Sequence, residues 1–122
     1  MPVSRITKED LKARLENPDT ATHPVVVDVR LKYPYEHSTI RIAGAIRMAP
    51  DAVNVSKLPR DRDIVVYDSD PDEVTGSAVA TGLLKQGFRV SVLKGGIAEW
   101  AGATLPVDAK GAPKPAPPPA KA

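Results

Sequence analysis

The stretch IVVYDSDPDEVTG, residues 64–76, decides how the chain is read. A short apolar run ends in a loop with four carboxylates, Asp68, Asp70, Asp72 and Glu73, directly ahead of a segment with helical character. A strand that enters a helix N-terminus normally builds a place for an anion, because the first helical N–H groups lack intrahelical partners and the dipole end is positive. Here the chain supplies its own anions. The loop therefore reads as an active site, a metal site, or a site that has lost its chemistry.

Working outward, PVVVDVR (24–30), DIVVYD (63–68) and FRVSVL (88–93) are near-continuous runs rich in β-branched residues, the pattern of strands buried on both faces. GAIRMA (44–49) is a shorter fourth strand. Thr7-Lys8-Glu9-Asp10 announces a helix, with Thr7 as N-cap and Ile6 and Leu11 spaced for a hydrophobic staple; Leu11 and Leu15 share a face and Asn17-Pro18 stops it. A second helix is expected over 75–86, with Ala78, Val79, Leu83 and Leu84 as its apolar face and Gly87 as its C′ residue. Its first half is thin, through Gly76, Ser77, Ala78, Ala80 and Gly82, which suits close packing on a sheet. Buried strands separated by helices predict an α/β fold, a three-layer α/β/α arrangement around a mostly parallel sheet of about five strands. The carboxyl ends of parallel strands share one edge, and ligands bind outside it. That places Asp28 to Arg30 and Asp68 to Thr75 on one side of the molecule.

The 122 residues suffice for one core. Apolar and charged fractions of 42% and 26% match ordinary water-soluble domains. Net charge is +2, and the pI near 9.0 owes part of its height to Lys110, Lys114 and Lys121. No basic stripe exists and aromatics make up 4%, so nucleic-acid binding has no support. No segment approaches a membrane span and the N-terminus lacks a signal-peptide pattern, which makes cytoplasmic location the default expectation. The absence of cysteine excludes disulfides, thiolate–zinc sites and cysteine nucleophiles, and His23 and His37 alone do not make a zinc site. Order is expected to fade from Gly102 onward, with the domain spanning 1–107 and a proline-, alanine- and lysine-rich tail over 108–122.

Asp28-Val29-Arg30, Ile42-x-Gly44-Ala45, and Leu93-x-Gly95-Gly96 with Trp100, Gly102, Pro106 and Val107 behind it resemble, together with the runs above, a single rhodanese-like domain over residues 4–107. In structural terms Gly95-Gly96 supplies a tight turn, Trp100 plugs one end of the core, and Asp28 ties down loop backbone. The resemblance implies a sulfurtransferase whose cysteine follows the VVY strand and carries a persulfide. Asp68 stands there instead. A carboxylate can rest as a permanent anion among loop amides but cannot hold a transferable sulfur. The resemblance also implies an active-site loop formed here by Asp68, Ser69, Asp70, Pro71, Asp72, Glu73, Val74 and Thr75, with Asp28 and Arg30 flanking the pocket. This loop is longer and more acidic than the sulfurtransferase pattern, and it should repel thiosulfate and phosphate esters alike.

Three other readings stay open at this stage. Asp68-x-Asp70 after an apolar run resembles the start of haloacid-dehalogenase-type phosphohydrolases, an Asp68/Asp70 carboxylate or Mg²⁺-dependent phosphoryl site, although Asp72 stands where that pattern has Thr or Val. Asp68, Asp70 and Asp72 are spaced like the opening of a calcium loop, but Glu73 replaces its turn glycine and Val79 its last glutamate, leaving them weak metal candidates. Finally, Asp72 and Glu73 can serve simply as solvated acids at a helix start. The expectation is a domain without cofactor or sulfurtransferase activity that uses its acidic loop as a binding or regulatory surface toward a protein partner.

Overall fold

The computed structural model describes residues 3–69 and 73–109. The strands are β1 (Ser4–Ile6), β2 (Val25–Asp28), β3 (Ile40–Ile42), β4 (Ile46–Arg47), β5 (Asp63–Tyr67), β6 (Arg89–Leu93) and β7 (Val107–Ala109). The helices are α1 (Lys8–Leu15), α2 (Lys32–His37), α3 (Val74–Lys85) and α4 (Gly96–Gly102). Among the described residues the main sheet runs β1-β6-β5-β2-β4, and every ladder in it is parallel. β5 is the central strand, so the residue after it emerges midway along the carboxyl edge.

Period-two alternation splits the β-branched runs between two cores. Val27, Val29, Ile64, Val66, Val90 and Val92 meet Ala80 and Leu83 of α3 on one face. Val26, Val65, Tyr67 and Leu93 meet Leu11 of α1 and Ile97 and Trp100 of α4 on the other. These are the α/β/α layers the runs predicted. Thr7 caps α1 by accepting from the Asp10 amide, and Ile6 and Leu11 pack in the same core. Gly87 follows α3 at φ 91°. Trp100 is buried and its indole N–H donates to the Pro106 carbonyl at 2.7 Å.

Several features lie beyond the sequence expectations. The edge strand β1 pairs with β6, and the GAIRMA strand shrinks to two residues. Order does not fade at Gly102: β7 pairs antiparallel with β3, and the Asp108 carboxylate accepts from the Gly44 amide at 3.0 Å. Its last two residues thus lie past the expected boundary at 107; residues 110–122 are outside the described residues. Among the described residues no helix is long and apolar enough to cross a membrane.

Candidate functional site

The carboxyl edge of the sheet gathers Asp28 and Asp68 from the residues singled out in the sequence. β2 and β5 lie side by side with Asp28 opposite Tyr67, which brings the two strand ends together. Asp28 is fully buried, and its carboxylate accepts from the Arg30 amide at 3.0 Å, from the Arg30 guanidinium at 2.7 Å and from the Tyr67 hydroxyl at 2.9 Å. Tyr67 in turn accepts from the Ile42 amide at 3.2 Å. Burial, and next the Asp28 charge, push the Tyr67 phenol well above its ordinary range, so it stays a donor. Arg30 is as buried as its partner and also donates to the Ile40 carbonyl. Asp28 therefore ties down loop backbone through the Arg30 amide while its carboxylate pairs with the Arg30 guanidinium, and Arg47 Nη1 stands 3.7 Å away.

Asp68 is only 1% exposed. Its Oδ2 accepts from the Gly76 amide in the first turn of α3 at 2.5 Å, and its own carbonyl accepts from Ile97 N at 3.1 Å in the first turn of α4. Two glycines make this approach feasible. A Cβ on Gly76 would stand 3.0 Å from Oδ2, and one on Gly96 would stand 2.4 Å from the Asp68 carbonyl oxygen. The thin start of α3 is thus explained by its closeness to Asp68, along with its contact to Val92 of the sheet.

Glu73 departs from the solvated helix-start role. It is 3% exposed, sits in the left-handed region at φ 57° immediately before α3, and pairs with Arg5 through Nε and Nη2, each at 2.7 Å. Its Oε2 also accepts from Gly95 N at 3.1 Å. The Arg5 hydrogen bonds hold its carboxyl below the usual carboxylate range, and the Gly95 amide adds to that against the opposing effect of burial. Nothing in the local sequence signals this pairing, because its partner is 68 residues away on an edge strand. Helix α3 begins at Val74, one residue before the expected start, with Val74 exposed and Thr75 half-buried. Ser69 is half-buried, while Asp70, Pro71 and Asp72 lie outside the described residues. Among the described residues no three His, Asp or Glu side chains converge as metal ligands.

Taken together, a central strand delivers Asp68 between two helix starts, beside a buried Asp28–Arg30 pair. A family model for the rhodanese-like domain matches residues 7–103. The chain belongs to the rhodanese-like domain family. Individual proteins are similar over a comparable extent. A protein of Allochromatium vinosum named sulfurtransferase is 31% identical over 106 residues, covering 86% of this chain and 94% of that one. The uncharacterized protein YibN of Escherichia coli is 37% identical over 98 residues, or 77% of this chain; the match spans 65% of YibN, just under two thirds of its length. A full-length protein of Lactobacillus plantarum has a crystal structure that superposes with a TM-score of 0.77 at 30% identity, covering 86% of this chain and 87% of that one.

Proposed function

We propose that this rhodanese-like domain acts as a binding or regulatory module without sulfurtransferase activity, with Asp68 in the position of the family's nucleophilic cysteine. The observation that carries this reading is the Asp68 carboxylate itself, buried and accepting from the Gly76 amide. An anion in that place satisfies the amide as a thiolate would, yet a carboxylate oxygen bonded to carbon offers no site for a transferable sulfane sulfur. No cysteine elsewhere in the 122 residues can take over the role.

A docking role draws support from the rim of the same edge. Leu31 follows β2 and is 48% exposed, Tyr33 in α2 is 72% exposed, and Val74 at the start of α3 is 66% exposed. Large apolar side chains left in water around a strand edge are the composition of an interaction surface. Of the four loop acids, Asp68 and Glu73 are buried, and Asp70 and Asp72 lie outside the described residues. The partner suited to such a surface is a protein segment with apolar anchors.

The direct test is sulfur transfer from thiosulfate to cyanide. The unaltered protein is expected to give no turnover above background, and Asp68→Cys only slight turnover, because the remaining acids repel thiosulfate. Robust turnover in the cysteine variant would mean that the loop is intact catalytic machinery missing one atom. Following the amides around Asp68 during titration with Mg²⁺ and then Ca²⁺ addresses the carboxylate-based alternative: saturable shifts confined to 68–75 would replace the docking reading with a cation or phosphoryl site.

A further inference from the structure

Glu73 combines three features whose joint effect extends past its own position. Its backbone is left-handed, a conformation few side chains adopt. Its carboxylate is buried, and that carboxylate grips two separate elements, Arg5 of β1 and the Gly95 amide that leads into α4. Its carbonyl, meanwhile, accepts from the Ser77 amide at 2.9 Å in the first turn of α3. The starts of α3 and α4 are the two walls that hold Asp68, through Gly76 N and Ile97 N respectively.

β1 is the weak member of this set. It has three residues, two of them exposed, and among the described residues it pairs on one side only, with β6. Among the described residues, the other charged groups around Glu73 are Lys8 and Glu9 from α1, Lys94 after β6, and Glu99 from α4. Lys8 bridges Glu99 at 3.1 Å and Glu9 at 3.4 Å, which offsets those two acids, while Lys94 adds to the attraction on Glu73. Arg5 has the bidentate geometry that neither lysine can reproduce. Its side chain is 51% exposed, so the pair is reachable from solvent.

We propose that the Arg5–Glu73 pair is a latch that couples the N-terminal strand to the Asp68 site, so that releasing Arg5 loosens both walls of the site together. A left-handed glutamate stays in place only while its surroundings over-determine it. Without Arg5, the Glu73 carboxylate keeps the Gly95 amide as its hydrogen-bond donor among the described residues, and the starts of α3 and α4 lose their shared tie to β1. The device is independent of whether the edge docks a partner, transfers sulfur or binds a cation.

Amide hydrogen exchange read by NMR on the full chain tests this. In Arg5→Ala, the Gly76 and Ile97 amides are expected to exchange at least tenfold faster than in the parent protein, with the Val66 and Val92 amides of the central strands changing less. Arg5→Lys, which keeps the charge and loses the paired geometry, should fall between them. Lys8→Ala, beside the latch but outside it, should leave Gly76 and Ile97 within twofold of the parent. The proposal is overturned if β1 amides loosen in Arg5→Ala while Gly76 and Ile97 stay within twofold. It is equally overturned if all amides accelerate in parallel in both Arg5 variants, since the pair would then serve global stability alone.

Discussion

Asp68 and Asp72 are the same residue type four positions apart, and their replacement is expected to cost different amounts. Asp68 satisfies the Gly76 amide from inside the protein. Replacing it by alanine leaves that buried donor without its acceptor, a loss of about 1–3 kcal/mol. Asp72→Ala, at a position read from sequence only as a helix-start or loop acid, is expected to change stability by no more than about 0.5 kcal/mol. Urea unfolding midpoints of the two variants check the contrast, and equal effects would show that Asp68 is not a structural anion. At this scale the sequence was partly legible. Asp28 could be assigned to backbone anchoring because it ends a buried strand, whereas Glu73 could not be separated from Asp72, since both simply precede a helix and Arg5 is remote in sequence.

Among the elements, α3 and α4 show why glycine content alone says little until the neighbours are known. Gly82 lies within α3, and a β-carbon added there would meet nothing within 4 Å, so Gly82→Ala should raise stability by about 0.5–1 kcal/mol through the unfolded chain's reduced freedom and better helix propensity. Gly96 opens α4 at φ 63° and its added carbon would meet the Asp68 carbonyl oxygen at 2.4 Å. Gly96→Ala should therefore destabilise by more than about 1 kcal/mol, combining left-handed strain with displacement of the strand end. Thermal unfolding of both variants decides this, the two midpoints moving in opposite directions. The strands were legible because continuous β-branched runs have few other uses. β1 and β7 were not, because three-residue edge strands with exposed side chains carry no periodic signal and exist only where a partner strand is already in place.

For the molecule as a whole, acid stability follows from Glu73. Its carboxyl titrates below the ordinary 4.5 in the folded state, held down first by the hydrogen bonds from Arg5. The stabilisation is thus present above the unfolded value and is lost as pH falls through the lowered folded one. Urea midpoints measured from neutral pH downward should drop in that acid window, and Arg5→Ala should flatten the drop while lowering the neutral-pH plateau. An unchanged acid limb in Arg5→Ala would assign acid sensitivity to other carboxylates.

The sequence by itself determined the layer architecture, the parallel sheet, the edge on which Asp28, Arg30 and Asp68 meet, and the absence of cysteine from these 122 residues, because hydrophobic period, strand-to-helix order and residue type are local properties. Only the tertiary structure decided that Glu73 is a buried partner of Arg5 rather than a solvated acid, that β1 is thereby fastened to the site, and that β7 pairs with β3. Each of these depends on a contact between residues tens of positions apart. Burial of a charge is settled by the partner that folding brings to it, and no local pattern records which partner that is.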